Sequence, residues 1–176
     1  MAKVDVDYRD YFAQTMDGLD GSGLLLVSVG RDGRPNVMTI GWGTVGTIWS
    51  RPIFVALVRP SRYTYGLLEQ TGDFTVNLMP VELADVVAYC GEVSGREHDK
   101  FAERELVLAP GAKVKAPVIE QALLQYECRT VQKTDVVPEH FDPAIVGRFY
   151  PQGNYHRVYF GEILAVRAEE GFAKGR

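Results

Sequence analysis

The stretch Leu24-Leu25-Leu26-Val27-Ser28-Val29-Gly30-Arg31-Asp32-Gly33-Arg34-Pro35-Asn36-Val37-Met38-Thr39-Ile40-Gly41-Trp42 decides how this chain is read. Leu24 to Val29 is an apolar run bounded by glycines, the mark of a buried strand. Arg31-Asp32-Gly33-Arg34 carries the Asp-Gly hairpin signal, and Pro35 to Trp42 is the return strand.

Working outward, Val45 to Trp49 and Ile53 to Val58 predict two further short strands at nearly regular spacing. That spacing favours a sandwich or barrel over βαβ units. Tyr8, Tyr11, Phe12 and Met16 approximate helical spacing and predict a short N-terminal helix, broken by Gly18 to Gly23. Pro60-Ser61 opens a second helix with Ser61 as N-cap and Gly72 just past its end. Asp73 to Met79 alternates as a half-buried strand, and Val81 to Tyr89 is a third helix. Glu92 to Asp99 is a polar loop, Lys100 to Arg104 a helical turn, and 123–137 and 157–168 are β-rich. Pro138 to Pro143, with His140, has the composition of a turn, and the tail after Glu170 is expected to fray.

The 176 residues fit one domain, residues 1–176, and are enough to bury a sizeable core. A formal charge of −4 disfavours nonspecific nucleic-acid binding, which needs a basic surface. Cys90 and Cys128 form no C-x-x-C and no zinc pattern with the three histidines, so a reducing cytoplasm is the default compartment. The N-terminus lacks the apolar core of a secretory signal, and the longest apolar run is too short to span a bilayer. No metal-binding, Walker or nucleophile motif stands out.

Four segments could carry chemistry. Gly41-Trp42-Gly43-Thr44-Val45-Gly46 matches G-x-G-x-x-G, but β-branched and aromatic residues and Pro52 follow where a dinucleotide fold needs a helix. Arg59-Pro60-Ser61-Arg62-Tyr63-Thr64 combines a helix start, two hydroxyls and two guanidinium groups, a set suited to a phosphate dianion. The same residues also describe a capped surface helix with two solvated arginines. Val93 to Phe101 offers a Ser-Gly turn with Arg96, His98 and Lys100, and reads equally as an exposed charged loop. His156, at the entrance to the apolar strand Val158-Tyr159-Phe160, is either a proton donor near neutral pH or a structural histidine.

In this order the segments Asn36 to Trp42, Pro52 to Val55, Arg59 to Thr64, Phe74 to Asn77, Ser94 to Phe101 and Tyr159 to Glu162 resemble the flavin reductase-like family, whose members include flavoredoxin. The resemblance runs from about Leu24 to Ala168. It implies a mainly β fold with flanking helices, a Greek-key split β-barrel, in a homodimer that binds FMN. It implies that Met38, Thr39, Ile40, Gly41 and Trp42 flank the flavin ring. Arg59, Ser61, Arg62, Tyr63, Thr64, Ser94 and Lys100 fall on the phosphate side, and His156 near the flavin edge. The implied activity is that of an oxidoreductase, a flavin reductase or a flavoredoxin-like electron carrier. Electrons would come from NAD(P)H and pass to a small molecule or a protein. A non-catalytic flavin store or sensor is the alternative on the same fold.

Overall fold

The structure, a computed structural model, describes residues 2–173. In chain order the elements are β1 (Lys3–Asp5), α1 (Phe12–Asp20), β2 (Leu24–Val29), β3 (Pro35–Ile40), β4 (Gly43–Ile48), β5 (Arg51–Val58), α2 (Tyr63–Thr71) and β6 (Asp73–Leu78). Then come α3 (Ala84–Glu92), α4 (Lys100–Glu103), β7 (Leu108–Ala109), β8 (Val118–Ile119), β9 (Leu124–Asp135), α5 (Pro143–Phe149) and β10 (Arg157–Glu169). The main sheet runs β3-β2-β6-β9-β10-β5-β4, with β1 added along β10, and its pairings are antiparallel. This is the mainly β split barrel with flanking helices that the sequence implied. Among the described residues, no helix is long and apolar enough to cross a membrane.

The opening segment explains the two-sided core. All six residues of β2 are buried. Side chains alternate along a strand. Leu24 and Leu26 therefore join the barrel interior with Met38, Ile40, Phe54, Phe74 and Tyr126. Leu25 and Val27 face the other way, against Val86, Val87 and Cys90 of α3 and against Leu106 and Ile119. A run apolar on both faces is what a strand covered on both faces requires. Each fully buried Leu contributes about 1.5–3 kcal/mol by area removed from water.

The two ends of the sheet path, β3 and β4, are neighbours in sequence. Only Gly41 and Trp42 separate them, and they do not pair with each other. The barrel is therefore split at the end of the decisive segment. The expected return strand stops at Ile40, two residues short of Trp42, because the chain turns there into β4. The G-x-G-x-x-G stretch runs into that strand and opens no helix. The β4–β5 hairpin turns on Trp49 and Ser50, with φ of 53° and 57°. Two left-handed residues suit a tight hairpin, although neither is glycine.

The stretch between α4 and β9 carries little pattern of its own. It is held on the outer face of the sheet by side chains of β6 and β9. Asn77 Oδ1 accepts from the Ile119 N–H at 3.1 Å, and Gln125 Nε2 donates to the Ile119 carbonyl at 2.7 Å. Asp73 Oδ2 and Glu127 Oε2 accept from the N–H groups of Lys115 and Lys113 at 2.9 and 2.6 Å. Buried polar side chains here replace a paired strand as partners for the backbone.

Three expectations are corrected. Ser61 does not cap α2: the helix begins at Tyr63, its N-cap is Arg62, and Ser61 Oγ instead accepts from Asn154 Nδ2 at 2.8 Å. Pro138 to Pro143 is more than a turn. A short 3-10 helix, Pro138–His140, leads into α5, where Asp142 accepts from the Ala144 N–H and Pro143 opens the helix. The tail packs at least to Phe172, which stacks on Tyr11 at 5.6 Å, while the expected fraying of Lys174 to Arg176 lies outside the described residues.

Candidate functional site

A cleft of about 220 Å³ sits at the split of the barrel, lined by Met38, Thr39, Ile40, Gly41 and Trp42 on one side and by Leu57, Arg59, Arg62 and His156 on the other. A second cleft of about 150 Å³ is lined by Ser61, Arg62, Tyr63 and Thr64, by Ser94 and Lys100, and again by Met38. Met38 and Arg62 belong to both, so the two clefts adjoin. Every sequence-predicted site residue lines one or the other, although these residues span 38 to 156 in the chain.

The ends differ in chemistry. At the first, the edge strand β3 leads into Trp42, whose ring lies edge-on to Phe149 at 5.0 Å and 5.0 Å from His156. The Thr39 hydroxyl donates to the Val87 carbonyl, which fixes β3 to α3. At the second end, Lys100 is almost wholly buried, and its Nζ donates to the Val37 and Cys90 carbonyls, each at 2.8 Å. Burial pushes its ammonium below the ordinary range. The Cys90 thiol opposes that shift and Arg62 adds to it. Among the described residues no carboxylate pairs with Lys100. A buried cation held by two neutral carbonyls, with a third N–H to spare, suits an anionic ligand.

The neighbouring groups fit the same ligand. Thr64 Oγ1 is buried and accepts from Asn36 Nδ2 at 2.7 Å, which leaves the Thr64 hydroxyl proton free to donate. Among the described residues the Arg62 guanidinium makes one long bond, to the Gly91 carbonyl at 3.3 Å. Arg96 lies with its guanidinium 5.4 Å from the Tyr63 ring centre and donates to the Ser61 carbonyl. Ser94 Oγ accepts from the Arg96 N–H at 3.2 Å and shapes the turn. Arg59 differs from the other cations. Its guanidinium donates to the carbonyls of Asn154 and Phe149 at 3.0 and 2.9 Å and lies 4.9 Å from the Tyr150 ring centre. It clamps the segment leading into β10. Six lining residues are not among those the sequence assigns to the site: Asn36, Leu57, Cys90, Val93, Gly95 and Arg96. Asn36 and Arg96 belong to the same two sequence segments as assigned residues, each two positions from one, Met38 and Ser94.

His156 is not a charged donor at neutral pH. Burial, reinforced by Arg59 and then Arg62, lowers its pKa from 6.5 to about 4. The unfolded chain therefore holds more protons than the folded one between those values. Stability is full above pH 6.5 and falls as pH drops toward 4. His156→Gln, which cannot take up that proton, is expected to lose less Tm than the wild type between pH 7 and pH 4.5 in thermal melts. Equal losses would place the depressed pKa elsewhere.

The split antiparallel barrel thus carries at its open seam one cleft beside the 38–42 segment and an adjoining one that reaches the buried Lys100. A sequence profile described as flavin reductase like domain matches residues 20–175, and the chain belongs to that family. Flavoredoxin of Desulfovibrio vulgaris (Miyazaki F) is similar in structure, with a TM-score of 0.68 and 25% identity, over 84% of this chain and 69% of that one. An FMN-binding protein from Thermus thermophilus with bound 1-cyclohex-2-enone superposes with a TM-score of 0.66 at 26% identity, over 85% of this chain and 71% of its own. An uncharacterized protein of Archaeoglobus fulgidus is 29% identical over 143 residues, 81% of this chain and 71% of that one.

Proposed function

We propose that this chain is an FMN-dependent oxidoreductase that takes electrons from NAD(P)H and passes them to a small molecule or a protein. The carrying observation is the pair of adjoining clefts whose far end holds Lys100, a buried cation that no carboxylate pairs among the described residues. FMN is planar at one end and dianionic at the other, so its two ends match the two ends of the cleft. Arg62, Thr64 and Lys100 hold the phosphate, assisted by Ser61, Tyr63 and Ser94. The backbone and side chains from Met38 to Trp42 flank the ring. Bound there, FMN supplies the redox chemistry, and the protein supplies position, hydrogen bonds and local charge. Arg59 keeps the Phe149–Asn154 segment against the cleft, and neutral His156 offers hydrogen bonding at its edge. The whole chain serves as one flavin-binding domain, in a cytoplasmic homodimer.

The test is uptake of FMN followed by anaerobic mixing with NADH and then NADPH. The expected result is a yellow protein that releases FMN on denaturation and is bleached by at least one nucleotide. A protein that takes up FMN but is bleached by neither is a flavin store. A colourless protein that refuses added FMN overturns the assignment. Light scattering reads the dimer separately.

A further inference from the structure

The neutral His156 leaves open which of its two nitrogens carries the proton, and the surroundings of Tyr150 answer this. Tyr150 follows α5 and is buried. Its ring stacks on Tyr155 at 4.7 Å and lies under the Arg59 guanidinium, which also grips the carbonyls on either side of it, at Phe149 and Asn154. Its hydroxyl lies 2.8 Å from His156 Nδ1.

A buried phenol must place its one proton on an acceptor. Among the described residues, the only acceptor in hydrogen-bond reach of the Tyr150 hydroxyl is that ring nitrogen, since the backbone N–H of His156, also beside it, is a donor. Were Nδ1 the donor, the phenol proton would be left without an acceptor. Burial raises the Tyr150 pKa, while Arg59 and the backbone N–H of His156 lower it. Both of the lowering groups are positive poles beside the phenol. They draw electron density from the oxygen and make the hydroxyl a better donor and a poorer acceptor. With Nδ1 occupied as acceptor, the imidazole proton sits on Nε2.

We infer that Tyr150, clamped by Arg59, is the positioning residue that fixes His156 as its Nε2–H tautomer, so that the cleft meets an uncharged N–H donor. This inference rests on the flavin reading for the identity of the ligand but not for the tautomer. A donor of this kind recognises an acceptor atom, such as a ring carbonyl or ring nitrogen of a bound flavin or the carbonyl of an acceptor substrate, without bringing a charge.

The experiment is a two-bond ¹H–¹⁵N correlation spectrum of histidine-labelled, ligand-free protein at pH 7. The His156 signal is expected to show a protonated Nε2 and a pyridine-like Nδ1. In Tyr150→Phe it should become a mixture of tautomers, with the His98 and His140 signals unmoved as the control for fold. A wild-type spectrum with the proton on Nδ1 overturns the inference, whatever the variant does. An unchanged His156 signal in a folded Tyr150→Phe overturns it too. FMN is then added, and its uptake is followed separately by fluorescence quenching. Uptake with movement of the Nε2 proton signal supports the donor role, and uptake without it overturns that role. No uptake overturns the flavin reading alone, since the tautomer is already decided in the ligand-free spectrum.

Discussion

Arg62→Ala is expected to lower FMN affinity by about 10- to 100-fold, the loss of one charge-assisted hydrogen bond at about 1.5–3 kcal/mol. Riboflavin affinity should stay within about threefold, because riboflavin has the ring but no phosphate. The geometry singles out this arginine. Arg62 borders both clefts, and the one hydrogen bond of its guanidinium among the described residues, to the Gly91 carbonyl, is long at 3.3 Å. Its guanidinium is therefore free to turn to a ligand at little cost. Arg59 stands in contrast. Both of its terminal nitrogens already donate to backbone carbonyls, of Asn154 and Phe149, and it holds the wall that carries Tyr150 and His156. Arg59→Ala should weaken FMN and riboflavin together. Fluorescence quenching at fixed ionic strength measures both ligands, since salt screens the exposed part of the attraction. Equal losses of the two ligands in Arg62→Ala would move the phosphate away from this end of the cleft.

The difference between these two arginines also shows what the sequence could and could not tell. Their spacing in Arg59-Pro60-Ser61-Arg62 made them look equivalent. Local pattern reports which residues are near one another along the chain. It carries nothing about Phe149 and Asn154, about 90 positions away, which claim one of them. Ser61 was misread for the same reason: it has the composition of a cap, but Asn154 takes its hydroxyl and the helix starts two residues later. By contrast, β2 and β3 were legible because both faces of β2 are covered and the turn is local. Helix α5 was legible in principle. Asp142-Pro143 is a cap followed by a first-turn proline, a signal that the short apolar run behind it made easy to miss. The segment from Lys113 to Ile119 was not legible at all, because its order comes from side chains of β6 and β9 and not from its own pattern.

Gly95→Ala is expected to reduce FMN affinity by more than about 100-fold, as two walls of the phosphate end are displaced together, while the barrel itself stays folded. A Cβ at Gly95 would stand 1.8 Å from Asn36 Oδ1, 2.8 Å from Asn36 Cγ and 3.1 Å from Tyr63 Cδ1. Asn36 cannot simply rotate away, since its Nδ2 is bonded to the buried Thr64 hydroxyl at 2.7 Å. Either that bond breaks, at about 1–3 kcal/mol for a buried group left unpaired, or the Ser94–Arg96 turn swings outward and takes Ser94 and Arg96 from the cleft. Both routes remove donors from the ligand, and neither touches the core packed around Phe54 and Tyr126. Gly66→Ala supplies the control in the neighbouring helix. A Cβ there meets nothing within 4 Å, and Gly66 sits on the exposed face of α2. Replacing a helical glycine by alanine should stabilise the protein by about 0.5–1 kcal/mol and leave FMN binding unchanged. Urea unfolding and FMN titration of the two variants separate a lost site from a lost fold. Gly95→Ala binding FMN as the wild type does would show that the phosphate does not depend on the contact between Asn36 and the turn at Gly95.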